Sequence, residues 1–294
     1  MRIARILQQG GKETFGIINQ NDKVVTRDEI IDQTNLILPY DAEDFLFFGY
    51  ARHIRDHNLS KLSFCHETQE FRFLPPIIKT FKIICLSFNY TDQGNWIRFG
   101  NHPPKDPVIY LKPRTSLIGP FDDIKCPGFV NELDYEGELA FIIGERCKKT
   151  NTYEALDYVA GYFILNDISA RDIQFVDKQY GRAKGFDTFG PCGPWVTTVD
   201  EIPEPNKLHL TTKVNGEIRQ KSSTENMVLN VNEIISKLSK VMTLEPGDIV
   251  STGTPSGTGL SMSSNSKYLK DNDIVEVEVE KLGSIRNKIL YVDE

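Results

Sequence analysis

The chain has 294 residues, 39% of them hydrophobic and 26% charged, with a formal net charge of −7. That length can bury one substantial core, or a small domain beside a larger one. The acidic balance argues against nucleic acid, which calls for a basic face, while leaving room for an anionic small molecule at a site of opposite local sign.

The five cysteines (Cys65, Cys85, Cys126, Cys147, Cys192) are scattered and form no C-x-x-C pair. Neither a zinc ribbon nor a disulfide framework is expected, and the thiols suit a reducing compartment. The opening MRIARILQQGGKETFG shows no leader pattern, and no run approaches about 18 apolar residues. A cytoplasmic protein with no membrane partner is expected.

Along the chain, RIARIL, TFGIIN and KVVT read as short strands, the last two joined by the turn signal NQND. DAEDFLFFGYARHIRDH follows an Asp cap and mixes apolar and charged residues at helical spacing, which predicts a helix. Pro75 and Pro76 mark a boundary, so residues 1–74 are expected to form a small N-terminal α+β domain and residues 75–294 the larger one. Beyond it, strands are predicted near 82–87, 107–111, 133–143, 160–166, 193–198, 208–214, 247–252, 273–280 and 285–292. Two helices interrupt them, NTYEALDYVA and NVNEIISKLSKVM, each behind a capping residue. The result is a mostly β, α+β chain, unlike an alternating βαβ pattern.

NELDYEGELAFIIGE, residues 131–145, places Asp134, Glu136 and Glu138 two apart, hence on one face of a strand. That face continues as Ala140 and Ile142, and the opposite face (Tyr135, Gly137, Leu139, Phe141, Ile143) is also apolar. A solvated strand face is the ordinary meaning of E-x-E, but here the strand enters an interior. Carboxylates about 4 Å apart repel by about 1 kcal/mol in water and about 4 kcal/mol at a partly buried site. A divalent ion offsets that repulsion, and carboxylates without a nearby His or Cys favour a hard ion, Mg²⁺, Mn²⁺ or Ca²⁺.

Read with GYFILNDISARD, PVIYLKPRTSLIGP, VNGEIRQ, MTLEPGDIVSTGTPSGTG and the closing GSIRN, LDYEGELAFIIG makes the chain resemble the fumarylacetoacetate hydrolase superfamily over about residues 75–290. The resemblance implies a distorted β-roll or barrel-like core, a homodimer, and a Mg²⁺ or Mn²⁺ ion held by Glu136, Glu138 and Asp167. It implies that Lys184 meets substrate oxygens, that Gln174 is a catalytic-site polar residue, and that Thr254 receives a substrate carboxylate. Tyr90, Lys112 and Arg171 are further candidate substrate-binding residues in the matching blocks. The Gly-rich loop around Thr254 has neither P-loop nor dinucleotide spacing. Substrates implied are 2-oxo and 1,3-dicarbonyl acids, processed through an enolate by hydrolysis, decarboxylation, hydration or isomerisation.

One departure limits the expectation. The family reads N-Y-x-x-H with Glu three residues later, a water-activating dyad. Here SFNYTDQGNWIRFG keeps Asn89 and Tyr90 but sets Gln93 at the His position and Trp96 at the Glu position. An amide takes no proton near neutral pH, and loss of a positioned base costs about 10²–10⁴ in rate. Gln93 therefore stands as the altered catalytic position, with His102 and Asp92 as candidate substitutes for the lost base or an extra metal ligand. Two readings follow: a metal-dependent enzyme in which decarboxylation or tautomerisation outruns hydrolysis, or a catalytically weak metabolite-binding relative.

Overall fold

The computed structural model describes residues 1–93, 99–261 and 267–293. Trp96 lies outside the described residues. Among those described, strands dominate in three sheets. The largest is mixed, and its order begins at His66–Glu67, Lys23–Thr26, Glu13–Ile18 and Arg2–Leu7. It continues through Gly190–Thr198, Val159–Asn166, Gly137–Ile143, Ile249–Ser251, Ile83–Ser87 and Val108–Lys112. Its order is open, with no pairing between the two edges among the described residues. A second sheet runs Glu217–Ser223, His209–Val214, Ile274–Val279, Gly283–Val292, Ile124–Pro127, and a third is the two-residue ladder of Leu133–Asp134 with Ser169–Ala170.

The central strand Gly137–Ile143 is buried along its whole length. Its alternation feeds two clusters: Leu139, Phe141 and Ile143 enter the main core, while Ala140 and Ile142 pack on the other side with Phe163, Leu165 and Cys192. Both faces are covered, as a strand apolar on both sides requires. The strands of residues 2–26 extend this sheet through the pairing of Arg2 and Ile3 with Thr197 and Val196. Their side chains, with those of the first helices, fill a cluster of their own that includes Phe15, Ile30, Phe45 and Ile54.

Several local expectations change. The strand expected over 133–143 is two pieces, because its partner switches. Leu133 and Asp134 pair with Ala170 and Ser169, and pairing with Asn166 resumes only at Gly137. Between them, Glu136 N–H donates to Asn166 Oδ1 (3.0 Å) and Asp167 N–H to the Glu136 carbonyl (2.8 Å). The helix expected over 41–57 starts behind Asp41, whose side chain accepts from Asp44 N–H at 3.0 Å. It then divides into Ala42–Phe47 and Tyr50–His57 at Gly49, whose φ of 81° lies outside the right-handed helical region. NTYEALDYVA forms only a 3₁₀ turn, Ala155–Tyr158. The Asn151 side chain closes a tight turn on Tyr153 and Glu154 N–H groups, and the strand claims Val159 onward. Val231–Val241 is the helix expected, with Asn230 and Glu233 capping reciprocally. No described helix is long and apolar enough to cross a membrane.

Candidate metal centre

At the partner switch the chain brings Glu136, Glu138 and Asp167 together, one carboxylate oxygen from each lying within 4.8 Å of the others. Glu138 and Asp167 are wholly buried and Glu136 nearly so. Gly137, the residue between the glutamates, is tightly enclosed. A Cβ there would stand 2.3 Å from Thr212 Oγ1 and 2.9 Å from Val277 Cγ1.

Cations surround the acids. Lys184 Nζ donates to Glu136 Oε2 (2.6 Å) and Asp167 Oδ2 (2.8 Å). Lys112 Nζ donates to Asp167 Oδ1 (2.8 Å), and the Tyr110 hydroxyl also donates to Asp167. Arg171 Nη2 donates to Glu136 Oε1, Nε to Asp134 Oδ2 (2.9 Å) and Nη1 to Gln174 Oε1 (2.9 Å). Four buried carboxylates, counting Asp134, thus meet three buried cations.

Burial would raise the Asp167 carboxyl, but the Lys112 and Lys184 ammoniums outweigh it and hold Asp167 well below the usual carboxylate range. Burial likewise disfavours charge on Lys184, yet the Asp167 and Glu136 carboxylates raise it above its ordinary value. Lys184 is therefore an ammonium. Glu138 differs: burial, then the charges of Asp167 and Glu136, push it well up. Its Oε2 accepts from Ser251 Oγ and from Gly253 N–H (3.0 Å), while its Oε1 has no hydrogen-bond partner.

That orphan oxygen tests the site against a metal. A buried carboxylate oxygen without a donor is costly. Three convergent oxygen donors of this kind suit a hard divalent cation, which would satisfy Glu138 Oε1 and relieve the repulsion that raises its pKa. The residues fit.

The other expected residues are placed as follows. Thr254 is buried, and its hydroxyl donates to the Gly137 carbonyl (2.9 Å) while accepting from Gln220 Nε2 (2.8 Å). Tyr90 is fully buried, close enough for the Glu138 charge to add to the burial that raises its phenol. Asn89 ties the Leu229 backbone to the Thr252 carbonyl. Gln93 ends a 3₁₀ turn, Thr91–Gln93, and its side chain lies outside the description. Asp92 is not in the acidic triad: it accepts from Ser222 Oγ (2.9 Å) and Ser256 N–H (3.2 Å). His102 is exposed.

Sequence reasoning missed Tyr110, Ser251, Gly253 and Gln220. Gln220 Oε1 accepts from Gly137 N–H (3.0 Å) while its amide holds Thr254 and the Pro255 carbonyl, so it grips the peptide between the two glutamates. Its signal was weak, a polar residue at a core position of VNGEIRQ.

Residues 82–290 match the model of the fumarylacetoacetate (FAA) hydrolase C-terminal domain. The chain belongs to the fumarylacetoacetate hydrolase family. A mitochondrial oxaloacetate tautomerase of Bos taurus is 41% identical over 224 residues, covering 75% of this chain and 70% of that protein. Among solved structures, a 2-hydroxyhepta-2,4-diene-1,7-dioate isomerase from Mycobacterium marinum is 33% identical with a TM-score of 0.74, covering 99% of this chain and 98% of that one. A fumarylacetoacetate hydrolase from Exiguobacterium antarcticum is 30% identical with a TM-score of 0.82, covering 99% and 100%. Fumarylacetoacetate hydrolase family enzymes generally use a divalent metal, and the buried triad is consistent with one here.

Proposed function

We propose that this chain is a Mg²⁺- or Mn²⁺-dependent enzyme that interconverts keto and enol forms of a 2-oxo dicarboxylic acid, with oxaloacetate the first substrate to try. The observation that carries the reading is the buried triad with Lys184 bound to two of its members and Glu138 Oε1 left without a donor. The oxaloacetate tautomerase among its relatives supports the choice of reaction.

When bound, the cation supplies Lewis acidity toward the keto and carboxylate oxygens of a chelating 2-oxo acid. The chain's own residues do the rest. Lys184, hydrogen-bonded to Glu136 and Asp167, is assigned as an ammonium charge that stabilises an oxyanion. Lys112 and Tyr110 hold Asp167 ionised and oriented. Arg171, expected to touch substrate, is assigned instead to Glu136 and Gln174, both of which it binds. Thr254 braces Gly137. Gln93 and Trp96 stand where a water-activating His and Glu would be. Hydrolysis is thereby slowed by about 10²–10⁴. Keto–enol exchange moves one proton between the activated methylene carbon and the keto oxygen, with solvent water accepting it from one and returning it to the other, so it suffers less from loss of the dyad.

The same reading includes a homodimer, a cytoplasmic setting and a division at Pro75–Pro76. Residues 1–74 then form a small domain with its own apolar cluster, and all the triad residues lie beyond it.

The test follows oxaloacetate enol–keto conversion and acylpyruvate hydrolysis side by side, with Mg²⁺ or Mn²⁺ and with EDTA. Metal-dependent tautomerisation exceeding hydrolysis is expected. Efficient hydrolysis would show another base at work. Tight binding of metal and oxo acid without turnover of either would favour a metabolite-binding protein, the reading that Gln93 and Trp96 otherwise suggest.

A further inference from the structure

Asp134 belongs to the same run as the two glutamates yet stays out of the triad, because regular pairing stops at Tyr135 and Glu136. We propose that Asp134 is a positioning residue that holds Arg171 against Glu136 and so sets the direction of one metal-ligating carboxylate. The inference rests on the reading of the triad as a metal site.

Asp134 is fully buried and its carboxylate is saturated. Oδ1 accepts from Tyr135 N–H (2.9 Å) and Gly259 N–H (2.7 Å). Oδ2 accepts from Leu260 N–H (3.1 Å) and Arg171 Nε (2.9 Å). Those donors fill the roughly four lone-pair sites of a carboxylate, which leaves none for a cation. Backbone groups supply all but one of them, so the carboxylate is held by the main chain of two distant segments.

Gly259 shows that the second segment is built for this approach. A Cβ on it would lie 2.8 Å from Asp134 Oδ1 and 2.7 Å from the Lys267 carbonyl oxygen.

Arg171 carries the constraint onward. It begins the helix Arg171–Asp177, directly after the Ser169–Ala170 strand that pairs with Leu133–Asp134. Its N–H donates to the Glu132 carbonyl at 2.8 Å. The guanidinium is planar, so pinning Nε on Asp134 fixes where Nη2 points. Nη2 meets Glu136 Oε1, and Lys184 takes Oε2. The plane of the Glu136 carboxylate is thus set from both sides. A partner of this kind, one step removed from a metal ligand, is worth roughly 10–100-fold in metal affinity.

The experiment is Mn²⁺ calorimetry on the metal-free full chain. It compares wild type, Asp134→Asn, Arg171→Lys and the double variant, at a temperature where near-ultraviolet circular dichroism shows each folded. Each single change should weaken Mn²⁺ binding by roughly 10–100-fold. The double should be no more than about twofold weaker than the poorer single, because both act through one chain of contacts. A merely structural role for Asp134 would lower the melting temperature and leave the affinity of folded protein unmoved.

Asp134→Asn protein that is folded and binds Mn²⁺ like wild type overturns the inference, as do losses that multiply in the double variant. If Asp134→Asn fails to fold, Arg171→Lys decides. An ammonium keeps the charge but cannot span Asp134, Glu136 and Gln174, so wild-type affinity there also overturns it. Glu136→Gln separates the two levels of claim. Loss of binding in Glu136→Gln with retention in Asp134→Asn rejects the positioning role alone. Survival of binding in Glu136→Gln, or its absence in wild type, rejects the metal reading and this inference with it.

Discussion

Lys184 sits 2% exposed between two carboxylates that would repel a second anion but not a divalent cation. Replacing it with Met removes a positive charge that opposes a cation but also one of the two contacts that orient Glu136, so the two effects offset and Mn²⁺ affinity should change far less than turnover. Turnover should fall by about 10²–10³, the usual worth of an oxyanion donor. Calorimetry and kcat on the same preparation check this, and an unchanged kcat would remove Lys184 from the chemistry. His66 offers a different test. Hydrogen bonds that its ring donates to the Glu70 and then the Glu29 carboxylate raise its pKa above the ordinary value, against the lowering by burial. A raised folded-state pKa means stabilisation that is full below the unfolded value near 6.5 and lost as pH rises through the folded value. Urea midpoints of wild type should exceed those of His66→Gln at pH 5.5, with the gap closing by pH 8.5; a constant gap rejects the assignment. Among residues, E-x-E, Asp167 and Lys184 were readable because they sit in short dense motifs. Tyr110, Ser251 and Gln220 were not, because their partners lie 57, 113 and 83 positions away and local spacing carries no trace of that.

At the level of elements, apolar periodicity located most strands, and the Asn230 cap located the Val231–Val241 helix. Periodicity could not show that the 133–143 run changes partner in its middle, since both pieces alternate in the same phase. It also missed Glu217–Ser223, a partly exposed strand, although Asn215 and Gly216, both at positive φ, form the turn before it. The partner switch makes Gly137 the tightest position of the site. Gly137→Ala would push a methyl group against Thr212 Oγ1, Val277 Cγ1 and, at 3.4 Å, Gln220 Oε1. Overpacking of this sort costs about 1–3 kcal/mol. It also shifts the backbone from which both glutamates project. A lowered melting temperature together with weakened Mn²⁺ binding in the folded variant is the expected pair of results. A drop in melting temperature with unchanged Mn²⁺ affinity would show that the triad tolerates the shift.

For the whole molecule, strand content was readable, whereas the order of the sheet was not. The pairing of Arg2–Leu7 with Gly190–Thr198 joins strands nearly two hundred residues apart, a contact that no local pattern announces. That long-range assembly gathers like charges in a dry interior, and its cost should be visible in stability. Glu138 lies fully buried near two further carboxylates with one oxygen unpartnered. Glu138→Gln keeps the shape and retains an oxygen for Ser251 and Gly253, but removes a carboxyl whose ionisation burial and its neighbours disfavour. Folding must either bury that charge without a partner or hold a proton on it, and both cost stability, so the metal-free variant should melt at or above the wild-type temperature. Wild type should regain the difference only with metal. At 100 times its dissociation constant, Mn²⁺ adds about 2.7 kcal/mol to the folded state. For chains of this general size that corresponds to a rise of several degrees. EDTA should reverse the rise in wild type, and Glu138→Gln should show little of it. A metal-free Glu138→Gln protein that melts well below wild type would mean the carboxylate stabilises the fold. A full Mn²⁺ response in that variant would mean the ion is held elsewhere. The expected pattern, a stabler apo protein that no longer answers to metal, is what a site kept for chemistry at the expense of stability should give.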